Sequence, residues 1–228
     1  SGAENDADYY QQFVDGVISN PVWRTKRYKP INDDADPNNI VSSGFYWTEM
    51  DETIDNVVVP MLALDPTIKL NLCYVSFSGS TIHHNPDEYA EFALATFQHL
   101  DSTYGWTPDF FEVMLEPDHT NSAFPAVTLA SCISASGVKL AANGYYPQFI
   151  APSCEVMANS VTYFNSIWAN TDARPYISEL SYHRYQTVSD ATLATIATSA
   201  SIAGVNTSML EHGGSGVVGA YGEWLAGM

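Results

Sequence analysis

A chain of 228 residues, 46% of them hydrophobic, carries enough apolar material for the core of one domain. Acids outnumber bases 26 to 8, with only four Arg and four Lys, so the formal charge is −18. Such a surface repels nucleic acid and anionic lipid, and no apolar run reaches the ~18 residues needed to span a bilayer; neither nucleic-acid binding nor membrane insertion is expected.

The opening Ser1-Gly2-Ala3-Glu4-Asn5 lacks the basic start and apolar stretch of a signal peptide, and a first strand is expected to end there. Residues 6–19 read as a helix with Tyr9, Phe13 and Val17 on one face. A strand is expected over 22–31, followed by the polar loop Asn32-Asp33-Asp34-Ala35-Asp36-Pro37. Thr48 is read as the cap of a helix over 48–64, with Asp51 three residues on. Residues 68–77 form an apolar strand pattern, and 86–104 a long amphipathic helix with Pro86 in its first turn.

Further along, strands are expected at 110–116, 148–152, 176–183 and 207–211. Helices are expected over 125–143, stopped by Asn143-Gly144, over 157–169, and over 189–203, stopped by Gly204. Another helix should begin at Val217. Strands alternating with helices imply parallel βαβ units. The expected fold is an α/β, TIM-type parallel β/α barrel forming one domain over residues 1–228, incomplete at both ends; a doubly wound open sheet is the alternative arrangement.

In a barrel the chemistry collects where strands end at the C-terminal face. Here those ends carry Glu116-Pro117-Asp118-His119, then Glu155, then His183-Arg184-Tyr185, then Glu211-His212. Glu116 and Glu211 each follow strongly apolar strand residues, Val113-Met114-Leu115 and Met209-Leu210, and a charge so close to buried strand needs a reason. Two glutamates converging on one mouth are what a retaining glycosidase requires: one protonated to donate to the leaving oxygen, one ionised to attack the anomeric carbon. Glu155 and Glu223 read instead as solvated loop acids, and Glu112 and Glu179 as structural ion pairs or members of a lower barrel layer.

Three segments resemble the clan A glycoside hydrolases, family 30 and its relatives in particular. They are Asn85 to Phe92 continuing through Tyr104-Gly105-Trp106-Thr107-Pro108 to Phe111-Glu112-Val113-Met114-Leu115-Glu116-Pro117-Asp118, then Ser181-Tyr182-His183-Arg184-Tyr185, then Ser208-Met209-Leu210-Glu211-His212-Gly213. The resemblance implies a β/α barrel that hydrolyses a β-linked oligo- or polysaccharide, with Glu116 as acid/base and Glu211 as nucleophile. It further implies that His183 and Tyr185 line the cleft, Tyr185 orienting the nucleophile, and that Arg27 holds the nucleophile ionised. The family places Asn just before the acid/base, where it binds the sugar 2-hydroxyl; here that position is Leu115, and His119 or Asn121 would have to substitute. A descendant that keeps the barrel but binds carbohydrate without cleaving it is the alternative.

Trp47, Trp106 and Trp168 are compatible with stacking on sugar rings, Trp47 being the candidate for the cleft, though core or helix packing is the expected role of most of these aromatics. No cofactor or metal is expected. Gly214 to Gly219 fits G-x-G-x-x-G, yet nine residues after Gly219 leave no room for a dinucleotide fold. Asp34 to Asn38 begins like a calcium loop but lacks its turn glycine and bidentate Glu. His83-His84 lacks metal-ligand spacing and reads as cleft lining or plain surface, and Cys132 and Cys154 are free to pair without any spacing that demands it. Few Lys, many Tyr, Thr and Ser, and the acidic excess point to a secreted or extracellular protein.

Overall fold

The computed structural model describes residues 3–77, 79–120 and 124–212. Its centre is a five-stranded, wholly parallel sheet in the order β3 (Asn71–Cys73), β4 (Phe110–Glu112), β5 (Gln148–Val156), β6 (Ile177–Gln186) and β7 (Asn206–His212). The sheet curls into a half-barrel. Helices α5 (Pro86–Tyr104), α6 (Ala126–Ala142), α7 (Met157–Ala169) and α8 (Asp190–Ala203) connect successive strands, and each packs on the next. Among the described residues the strand order does not reverse, as it does at the switch point of a doubly wound sheet, and the sheet is consistent with a parallel β/α fold. Among the described residues β3 and β7 are the sheet's edges.

Register explains how the two faces differ. Leu72, Phe111 and Phe149 stand side by side across β3, β4 and β5, with Ile177 next on β6. This row packs beneath the helices with Tyr89, Phe97, Leu129, Ile133 and Phe164. The neighbouring row, Cys73, Glu112, Ile150 and Glu179, points to the opposite, concave face. Strands buried on both sides carry apolar residues at most positions, as the run of buried residues Phe149 to Cys154 in β5 illustrates.

Helix boundaries follow local chemistry. The Asn85 side chain accepts from the Asp87 amide, Pro86 fills the first turn of α5, and Gly105, at φ 73°, supplies the left-handed residue that ends it. Ser189 caps α8 in the same way through the Thr192 amide.

The first third departs from expectation. The helix read over 6–19 is only α1 (Tyr9–Val14), since the chain turns at Gly16 with φ 72°. Residues 22–31 contain no strand: α2 (Asn20–Lys26) occupies the position, started by Ser19 with Pro21 in its first turn, and Arg27 closes it. β1 (Ala3–Glu4) is not a first barrel strand but pairs antiparallel with β2 (Phe45–Tyr46), apart from the main sheet. Residues 48–64 are helical, as α3 (Thr48–Thr53), a π-turn at Ile54–Val58 and α4 (Val59–Leu64). Pro60 has no N–H to continue the α ladder, which accounts for the change of register before it. Thr48 is not the cap; Trp47 holds that position and the Thr48 hydroxyl donates to Asp8. Among the described residues the sheet is a five-stranded half-barrel, in keeping with the expectation of an incomplete barrel; the expected helix from Val217 lies outside the described residues, as does Gly214 to Gly219.

Candidate active site

The ends of β4, β6 and β7 bring Glu116, His183, Tyr185 and Glu211 together. His183 Nδ1 lies 3.1 Å from Glu116 Oε1, and the Tyr185 hydroxyl donates to Glu211 Oε2 at 2.7 Å. One oxygen of each glutamate and a ring nitrogen of His183 all lie within 4.8 Å of one another. His183 is fully buried, Glu116 is partly buried with its side chain 12% exposed, and Tyr185 stands at the rim, 42% exposed.

Two backbone features place the carboxylates. Ladder bonds continue beyond β4: Leu115 N–H donates to the Tyr74 carbonyl and Glu116 N–H to that of Ser153. Glu116 itself adopts φ 48°, a left-handed conformation costly for a residue with a side chain. Ser153 and Thr187, both at φ 54°, are the other non-glycine residues in this region of φ among those described, and they fall at the same edge of the sheet. Strain concentrated where strands end is characteristic of functional sites.

On β7, a register shift supplies the second placement. Tyr182 pairs with Met209, but His183 pairs with Glu211, so Leu210 is skipped. Without that bulge strict alternation would put Glu211 on the same face as Met209; with it, Glu211 joins His183 and Tyr185 on the concave side.

Burial pushes the Glu116 carboxyl above the usual carboxylate range; the bond to His183 opposes the rise and the charges of Glu155 and Glu211 add to it. Tyr185 is pushed up to about 12, chiefly by its hydrogen bond to Glu211, so it remains a donor throughout the working range. The pair is thus asymmetric, one carboxyl held towards its acid form and the other receiving a hydrogen bond suited to a carboxylate.

Asp118, two residues beyond Glu116, fixes the loop. Its carboxylate accepts from the amides of Glu155 and Val156 at 2.7 and 3.1 Å and from the Asn159 side chain at 2.9 Å. Gln186 donates to Glu155 at 2.9 Å, closing the ring of strand ends. The sequence shows Asp118 within the Glu116 motif, but nothing in it shows that its partners lie on the next strand and helix.

The remaining candidates are placed as follows. His119 lies beside the site, its ring 5.1 Å from Phe77 and its amide bonded to the Glu116 carbonyl. Arg27 lies on the other side of the sheet edge, ion-paired with Glu49 and packed against the rings of Trp23 and Tyr28, not beside Glu211. Trp47 is stacked on Phe45 and His99 within a packing cluster around Leu100 rather than in the cleft. Asn121 lies outside the described residues.

His83 is neither cleft lining nor surface. It is buried between Glu4 Oε2, at 2.8 Å from Nε2, and the Tyr74 hydroxyl, at 2.6 Å from Nδ1, and so ties β1 to the sheet. The acids of the 34–39 loop accept from nearby backbone amides, Asp36 N–H to Asp34 and Asn38 N–H to Asp36, a turn arrangement. Cys73, Cys132 and Cys154 are free thiols. Glu116, His183 and Glu211 are also the one described group whose donor atoms are close enough together to be considered for a cation. No helix among the described residues is long and apolar enough to cross a membrane. The chain matches no family model, no curated protein and no solved structure.

Proposed function

We propose that this chain is a retaining O-glycosidase that hydrolyses a β-linked oligo- or polysaccharide by double displacement. The observation that carries the reading is the approach of Glu116 and Glu211 to within 4.8 Å at the mouth of the half-barrel. Retention needs carboxyl groups about 5–5.5 Å apart, whereas inversion needs about 6.5–9.5 Å to admit a water between them.

In the first step a Glu211 oxygen bonds to the anomeric carbon as the glycosidic C–O bond breaks, and Glu116 passes its proton to the departing oxygen. In the second, Glu116, now a carboxylate, takes a proton from water; the water oxygen bonds to the anomeric carbon and Glu211 leaves. Tyr185 holds Glu211 in the attacking orientation. Glu116 must be protonated at the start, so burial extends the active range to higher pH than a free carboxyl would allow, and activity falls as pH rises through the Glu116 pKa. The acidic, Lys-poor composition supports a secreted or extracellular setting.

The test is hydrolysis of a panel of aryl β-glycosides. Glu211→Ala reduces turnover to background, and Glu116→Ala slows it by about 10²–10⁴-fold, while a chelator leaves the wild-type rate unchanged. Near-normal rates in both variants, or loss of activity on chelation, refute the assignment. Leu115 favours a second reading, a barrel that binds glycan without cleaving it, because the family's hydrogen bond to the 2-hydroxyl cannot be made there. That reading predicts retained glycan binding with no turnover in the wild-type chain.

A further inference from the structure

Directly below the carboxylate pair, two buried polar atoms face each other with no hydrogen-bond partner. They are Nε2 of His183 and Oε1 of Glu112, 3.9 Å apart. His183 is fully buried and Glu112 is 4% exposed, so bulk water does not serve either atom, and leaving both unpaired is costly. The other Glu112 oxygen accepts from the Asn71 side chain at 3.2 Å, which fixes the carboxylate with Oε1 towards the imidazole. A closure of about 1 Å brings Nε2 and Oε1 to ordinary hydrogen-bond length.

We propose that Glu112 is a positioning residue: it holds the His183 proton on Nε2, leaving Nδ1 bare to accept a hydrogen bond from the protonated Glu116 carboxyl. The argument rests on acceptor and donor chemistry. With Glu112 as a carboxylate, Oε1 only accepts, and the nitrogen facing it carries the hydrogen. In a neutral imidazole the other nitrogen is then an acceptor. That nitrogen lies 3.1 Å from Glu116 Oε1, and its lone pair matches the O–H of a general acid. The opposite tautomer would direct an N–H at Glu116 and favour its ionised form, while leaving a bare nitrogen against Glu112. Cys73 and Tyr89 are further titratable neighbours of Glu112: burial, with the charge of Glu112 and a hydrogen bond to it, pushes the Cys73 thiol up, and burial pushes the Tyr89 hydroxyl up. Asn71 on β3, Glu112 on β4 and His183 on β6 thus form a line beneath the site that ends at the acid/base.

This assignment deepens the glycosidase reading and rests on it for its purpose, but its test needs no substrate, so the two fail separately. Nitrogen-15 histidine labelling and long-range proton–nitrogen correlation near neutral pH report the tautomer of each ring. The His183 signals are identified by their loss in His183→Gln. The expected wild-type result is a single Nε2–H tautomer for His183. In folded Glu112→Met, which keeps the side-chain length but removes the acceptor, the bare Nδ1 resonance moves upfield as the fixed tautomer is lost. A wild-type His183 with its proton on Nδ1, or a Glu112→Met spectrum with His183 unchanged, overturns the proposal. If Glu112→Met does not fold, the wild-type tautomer decides alone.

Discussion

At the scale of single residues, the Tyr185 hydroxyl and the Glu91 carboxyl show how position sets chemistry. Tyr185→Phe removes the 2.7 Å bond to Glu211 without changing the ring. A hydrogen bond to a charged group contributes about 1.5–3 kcal/mol, so turnover of an aryl β-glycoside should fall by roughly ten- to a hundredfold with the fold intact by circular dichroism. A loss smaller than twofold would remove Tyr185 from the mechanism. Glu91, far from the site, is buried, and burial with the nearby charges of Asp33, Glu88 and Glu4 pushes it up to about 8. Its folded-state pKa lies above the unfolded value, so it binds a proton more tightly when folded. The stability this supplies is complete below the ordinary carboxyl value of 4.5 and is lost as pH rises towards 8. Glu91→Gln should therefore raise Tm above wild type near pH 8 and bring no such gain in acid, by roughly 2–4 °C for each kcal/mol relieved. Equal Tm differences at the two pH values would contradict this. Glu116 and Glu211 were legible in the sequence because each ends an apolar strand. Glu112 was legible as a structural ion pair or a member of a lower barrel layer, but its approach to His183, 71 positions later, depends on strand register that no local pattern encodes.

At the scale of elements, α5 from Pro86 to Tyr104, with its Asn85 cap and Gly105 stop, matches expectation to the residue, and so does α7 from Met157 to Ala169, which has no side-chain cap. The segment over 20–31 was not, because Val22, Trp23 and Tyr28 favour strands while the competing signal, Ser19 followed by Pro21, marks a helix start. The bulges in β5, β6 and β7 were invisible for a similar reason, since a skipped residue such as Leu210 leaves the apolar pattern intact. Packing between elements gives a sharp test at Gly137 on α6. A methyl group there would come within 2.5 Å of the Tyr176 ring. Gly→Ala in a helix interior ordinarily stabilises by about 1 kcal/mol, but overpacking against a rigid ring costs about 1–3 kcal/mol. The clash should win, and Gly137→Ala should lower the urea midpoint; a raised midpoint would show that Tyr176 yields freely.

At the scale of the whole molecule, five parallel strands wound in one direction set four side chains at one edge, while the helices bury the other face. The alternation of strands and helices made the parallel α/β class legible in the sequence. So was an incomplete barrel, in keeping with the half-barrel sheet; the antiparallel β1–β2 pair was not, since it depends on long-range pairing. The half-barrel matters because it makes the two glutamates neighbours across β4, β6 and β7, and the proposed covalent glycosyl-enzyme rests on that placement. The most direct measurement is incubation of the wild-type chain with a panel of activated 2-deoxy-2-fluoro-β-glycosides, followed by intact mass and peptide mapping. A single added glycosyl group on the peptide carrying Glu211, absent in Glu211→Gln, is the predicted result. Labelling at another carboxylate, equal labelling of Glu211→Gln, or no adduct from any glycoside in the panel would contradict double displacement at this site.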